Sequence, residues 1–96
     1  MTLFLQREAT HDLEDATHWY ENQLPGLGNQ FINETYNAFD RIEENPSSCP
    51  VVYKHPRRPV MRRFPFCVFF TLDDDQIHVV GVLHGSRNPQ RWQSRA

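Results

Sequence analysis

Ninety-six residues suffice for one domain with a single modest core, and 39% hydrophobic with 12% aromatic content excludes a disordered chain. No stretch approaches the roughly 18 apolar residues that span a bilayer, and the opening MTLFLQREATHD lacks the basic start of a secretion signal, so a cytoplasmic setting without membrane contact is expected. The net charge of −2 conceals a split: residues 1–50 carry nine acids and two arginines, residues 51–96 eight bases and three acids, which points to one face meant for an acidic partner.

Thr2 to Gln6 is short and β-compatible and reads as a first strand. From Ala9 to Leu24, the residues Ala9, Leu13, Ala16, Tyr20 and Leu24 recur at three- and four-residue steps and draw one helical stripe. Pro25-Gly26 stops that helix, because proline disfavours helix in the residue before it and glycine accepts the turn. A second helix is predicted from about Asn29 to Glu44, with a stripe of Leu27, Phe31, Thr35, Ala38 and Ile42 widened by Ile32 and Phe39, and Asn45-Pro46 ends it. So short a connection makes the pair an αα-hairpin.

Beyond Pro50 the period changes to that of strands. Val51 to Lys54 and Val60 to Phe64 are predicted as short strands around a His55–Pro59 loop, and Cys67 to Leu72 and Gln76 to Leu83 as longer ones. The three aspartates between the last two, Asp73 to Asp75, read as a hairpin turn. Helices first and strands later define an α+β fold, β-α-α-β-β-β(β), with the helical hairpin on an antiparallel sheet and residues 1–96 forming one domain.

Several residue sets carry possible chemistry. Lys54, Arg57, Arg58, Arg62 and Arg63 fall within ten residues and suit an acidic peptide or a phosphate backbone. In a strand Arg62 and Arg63 point to opposite faces, so only one lines a given site. The tail brings His84, Arg87, Arg91 and Trp92: an imidazole at a strand end beside arginines suits a general base, and Arg87 a phosphoryl stabiliser. A strand-capping His84 and a turn-anchoring Arg87 are the simpler reading. His11, Asp15 and His18 share one face of the first helix, but acids surround them, and no metal or other cofactor is expected. Cys67 lies among phenylalanines, which makes an inert thiol, and nothing in the spacing requires a bridge to Cys49. Trp19 falls beside the core stripe that holds Tyr20, and core packing is the favoured reading for it over a partner contact.

The order of these motifs, DLEDATHWYENQLPGLGNQF, then IEENP, the arginine-rich segment, and RRFPFCVFFTLDDDQIHVVGVLHGSRNPQRW, resembles the RelE/ParE superfamily of type II toxin–antitoxin toxins, most closely its ParE-like branch. That resemblance implies a growth-arresting toxin that inhibits DNA gyrase by protein contact and is neutralised by a small antitoxin with a DNA-binding start and an acidic tail. Partner-binding residues would be Lys54, Arg57, Arg58, Arg62, Arg63, Arg87, Arg91 and Trp92, and a homodimer or toxin–antitoxin hetero-oligomer is compatible with it. The alternatives are a RelE-like mRNA endonuclease using Arg62, Arg63, His84 and Arg87, or a degenerate module that only binds antitoxin. RelE-like nucleases generally carry an arginine early in the strand after the Pro-aromatic pair. Here that place, after Pro65-Phe66, is taken by Cys67, which favours the gyrase branch.

Overall fold

A computed structural model describes residues 2–46, 61 and 63–84. Five elements appear in the order β1 (Thr2–Leu5), α1 (Arg7–Gln23), α2 (Leu27–Glu44), β2 (Phe66–Asp73) and β3 (Gln76–His84). The expected strand at Val51–Lys54 lies outside the described residues. Of the expected strand at Val60–Phe64, the residues Met61, Arg63 and Phe64 are described, and they form an open segment ending in a bend rather than a strand.

The helices end where the sequence forbids their continuation. Leu24, held extended by Pro25, has φ −158° and ψ 125° and closes α1 by donating its N–H to the Tyr20 carbonyl at 3.1 Å. Gly26 then adopts φ +91°, the left-handed region open to glycine, and starts α2 two residues earlier than the periodicity suggested. Asn45 closes α2 ahead of Pro46 in the same way, through its N–H and the Arg41 carbonyl at 3.1 Å.

Both predicted stripes face inward except at Leu24, which lies past the end of α1 and is exposed. Ala9 and Ala16 from α1 and Phe31, Thr35, Ala38, Phe39 and Ile42 from α2 are buried, with Leu13 and Tyr20 packed at the margin. Thr35 can sit in this apolar layer because its hydroxyl donates to the Phe31 carbonyl at 2.8 Å. The two helices approach closely at Gly28, whose absent Cβ would lie 3.0 Å from the Thr17 carbonyl oxygen and 2.9 Å from Glu21 Oε1.

The sheet order is β1-β3-β2. β2 and β3 pair antiparallel through the Asp74-Asp75 turn, where Asp74 takes φ 54°, a conformation aspartate tolerates. β1 joins the other edge of β3 in parallel, Thr2 opposite Gln76 and Leu5 opposite Val79, so the sheet is mixed at that edge. The α+β class and the helical layer stand as expected.

A bulge in β3 decides which residues the helices cover. Phe69 pairs with Gly81 but Phe70 with Val79, leaving Val80 as an extra residue. Ile77 and Val79 face the helices, and after the bulge Val82 does so again, where strict alternation would have aimed it away. Val80 and Leu83 instead join Cys67 and Phe69 in a second buried cluster on the opposite face. Burial on both faces explains why β2 and β3 read as nearly continuous apolar runs.

Candidate partner interface

A cluster of aromatic rings joins the two helices to the segment that leads into β2. Tyr20 on α1 stacks on Phe31 of α2 with centroids 5.1 Å apart, and meets Phe64 edge-on at 4.9 Å. Phe31 in turn contacts Phe64 at 5.2 Å and Phe66 at 5.0 Å, and Phe66 meets the His84 ring at 5.5 Å. These distances lie in the range where ring pairs attract beyond simple burial. Partial burial among them raises the Tyr20 phenol above its ordinary value of 10.0.

The chain enters this cluster through the bend that replaces the expected strand. Met61 donates its N–H to the Phe66 carbonyl at 3.1 Å and packs its sulfur 3.7 Å from the Thr35 hydroxyl. Phe64, three residues on, drops into the ring cluster. With 61 and 64 anchoring the segment, Arg63 is left outside, and its Nη2 donates to Gln30 Oε1 on α2 at 2.8 Å. Its guanidinium carbon lies 5.9 Å from the Phe64 centroid, within cation–π range. The expectation that Arg62 and Arg63 alternate across a strand is therefore withdrawn for Arg63, which is described outside any strand.

Of the predicted site residues, Arg63 and His84 are described, and both border the aromatic cluster. His84 meets the cluster through Phe66, and Arg63 through Phe64. Lys54, Arg57, Arg58, Arg62, Arg87, Arg91 and Trp92, like Cys49, lie outside the described residues. His11, Asp15 and His18 are all exposed on α1. Cys67 is buried among Phe69, Val80 and Leu83, an apolar setting that disfavours the reactive thiolate.

Trp19 corrects the sequence reading. It is 58% exposed and meets the cluster through a T-shaped contact with Tyr20 at 5.1 Å. One residue past a stripe position rotates a side chain by about 100° around a helix, enough to carry it off the core face.

Three polar roles had no local signal in the sequence. Gln30 tethers Arg63 from thirty-three residues away. Glu21 accepts the N–H groups of Gly26 at 3.0 Å and Gly28 at 2.9 Å, serving as the acceptor that α2 lacks at its own start. Asp12 reaches from α1 to the Val82 N–H.

Known proteins place this geometry. The family model for the ParE toxin of the type II toxin–antitoxin system parDE matches residues 3–89. The chain is 30% identical to Toxin ParE2 of Mycobacterium tuberculosis, in both strain CDC 1551 / Oshkosh and strain H37Rv, over 81% of this chain and 75% of that protein. Its fold is shared with a chain of the chromosomal ParDE system from P. aeruginosa, at a TM-score of 0.78 and 17% identity over 88% of this chain and 95% of that one. The domain thus falls among the small α+β toxins of two-component toxin–antitoxin modules. Within that class, the chain belongs to the ParE toxin family of type II systems, and a cognate antitoxin is the partner such membership implies. Among the described residues no helix is long and apolar enough to cross a membrane.

Proposed function

We propose that this chain arrests growth in the cytoplasm by binding DNA gyrase, without catalysing a reaction itself, and that its antitoxin neutralises it through an acidic segment. The observation that carries the first part is the position of Cys67. Where RelE-like nucleases generally place an arginine, this chain presents a thiol 4% exposed within an apolar cluster. No cation extends from β2, whose sequence is FCVFFTLD, so a phosphoryl transition state would lack that source of stabilisation. His84, the candidate base of the nuclease reading, has its ring against Phe66.

Support for the second part is electrostatic. Five bases between Lys54 and Arg63, with Arg87 and Arg91 in the tail, match a carboxylate-rich segment, and Arg63 is exposed over the Phe64 ring. A disordered acidic tail would offset its ordering entropy by burying apolar groups there.

The direct test uses purified gyrase and supercoiled DNA with the purified chain. Accumulation of cleaved DNA, suppressed by antitoxin, is the expected result. Unaltered gyrase activity, together with cleavage of mRNA on ribosomes, would favour the nuclease reading through Arg62, Arg63, His84 and Arg87.

A further inference from the structure

The antitoxin reading uses the basic half of the chain and leaves the helical hairpin without a role. Yet the most exposed large apolar side chains among the described residues are both at its tip: Trp19, 58% exposed, near the end of α1, and Leu24, 57% exposed, at the turn. Trp19 meets the Tyr20 ring in a T-shaped contact and keeps more than half of its surface in solvent. Exposed tryptophan is costly to leave in water, and it is the side chain that most often anchors a protein contact.

The hairpin's own side chains are mainly acidic, with Arg63 meeting it at Gln30 in the first turn of α2. From Glu8 to Asp40 the sequence holds seven acids and no lysine or arginine. Glu14 and Asp15, within five residues of Trp19 on α1, are both exposed, and Asp15 is one helical turn away. An acidic antitoxin tail would be repelled here at distances within a Debye length of about 8 Å, and nucleic acid would be repelled for the same reason.

We infer that the tip of the α1–α2 hairpin, centred on Trp19 and Leu24 and bordered by Glu14 and Asp15, is the surface that engages the toxin's protein target. The matching surface on the target is an apolar socket edged with lysine or arginine side chains. This rests on the reading that the chain acts by protein contact, but not on which protein is contacted. It assigns the tryptophan-bearing tip to the target and leaves the arginine-rich segment to the antitoxin.

The test compares Trp19→Ala, the charge reversal Glu14→Lys/Asp15→Lys, and Tyr36→Ala, a control at an exposed aromatic residue elsewhere on α2. Each is induced without antitoxin, and each purified protein is titrated with cognate antitoxin. Both tip variants are expected to lose growth arrest, with apparent target affinity down about thirtyfold for Trp19→Ala, the scale of a tryptophan anchor. Their antitoxin affinity should stay within about twofold of the unaltered chain, which also shows that they fold, and Tyr36→Ala should arrest growth normally. Arrest retained in either tip variant overturns the inference. So does a parallel fall in antitoxin affinity, which would assign the tip to the antitoxin. If the unaltered chain stops protein synthesis rather than DNA synthesis, the gyrase proposal fails, while the arrest lost or kept in Trp19→Ala still decides the role of the tip.

Discussion

Asp12 Oδ2 accepts the Val82 N–H at 3.1 Å, fastening α1 to β3 beyond the point where β1 ends. β1 covers Gln76 to Val79, and beyond it the Val82 N–H takes a side-chain acceptor from α1. The bulge at Val80 lies just before this contact and sets the phase in which Val82 faces the helices.

Replacing Asp12 by leucine removes the acceptor and leaves the Val82 N–H to find another. The expected cost is about 1–3 kcal/mol, and about 4–8 °C of thermal midpoint per kcal/mol for a domain of this size. Asp12→Asn keeps a side-chain oxygen in place and should lose markedly less. Thermal melts of the two variants beside the unaltered chain decide this, and equal losses would show that the hydrogen bond contributes nothing beyond charge.

Gly26 and Gly28 are required for different reasons. A Cβ at Gly28 would press on the Thr17 backbone oxygen and the Glu21 side chain, so Gly28→Ala must part the two helices, at about 1–3 kcal/mol. At Gly26 there is open space but φ is +91°, so Gly26→Ala costs about 1–2 kcal/mol by backbone strain alone. Gly26→Asn should therefore recover part of the loss, whereas Gly28→Asn should be worse than Gly28→Ala. Urea midpoints of the four variants test the distinction.

The Glu21 carboxylate is held below its ordinary 4.5 by the N–H of Gly26 first and that of Gly28 second. A depressed folded-state value means that this contribution to stability is present above 4.5 and is lost as pH falls through the lower folded value. Glu21→Gln should thus be less stable than the unaltered chain near neutrality, with the gap closing as the solution is acidified below 4.5. A gap that stays constant across that range would contradict the assignment. The carboxylate is fully exposed, so the effect should also weaken in high salt.

Arg63 is exposed and bonded to Gln30, and substitutions at such positions usually change stability by within about 0.5 kcal/mol. Arg63→Ala should melt close to the unaltered chain yet bind antitoxin about tenfold more weakly, the scale of one charged contact at an interface. Calorimetric titration gives the affinity. Undiminished binding would remove Arg63 from the antitoxin face.

Much of the helical layer was legible because Ala9, Leu13, Ala16 and Tyr20 on α1, and Phe31, Thr35, Ala38 and Ile42 on α2, obey one period and the prolines mark both ends. The parallel entry of β1 was not: four residues carry too little pattern to choose between orientations. Val60 to Phe64 misled because its apolar residues suited a strand, whereas Met61 and Phe64 are anchored three residues apart around a bend. Trp19 was drawn toward the core by its neighbour Tyr20, although helix geometry separates them by slightly more than a right angle. Gln30, Asp12 and Glu21 act on partners distant in sequence or outside any local capping pattern, so only the folded chain brings their roles into view.

The target of this toxin is revealed by which synthesis fails first when it acts unopposed. Pulse-labelling of DNA and protein synthesis after inducing the chain alone, in bacteria lacking its antitoxin, measures that directly. The gyrase reading predicts that DNA synthesis falls first while protein synthesis continues. Protein synthesis failing first, with His84→Ala restoring it, would contradict the reading and make the domain a nuclease.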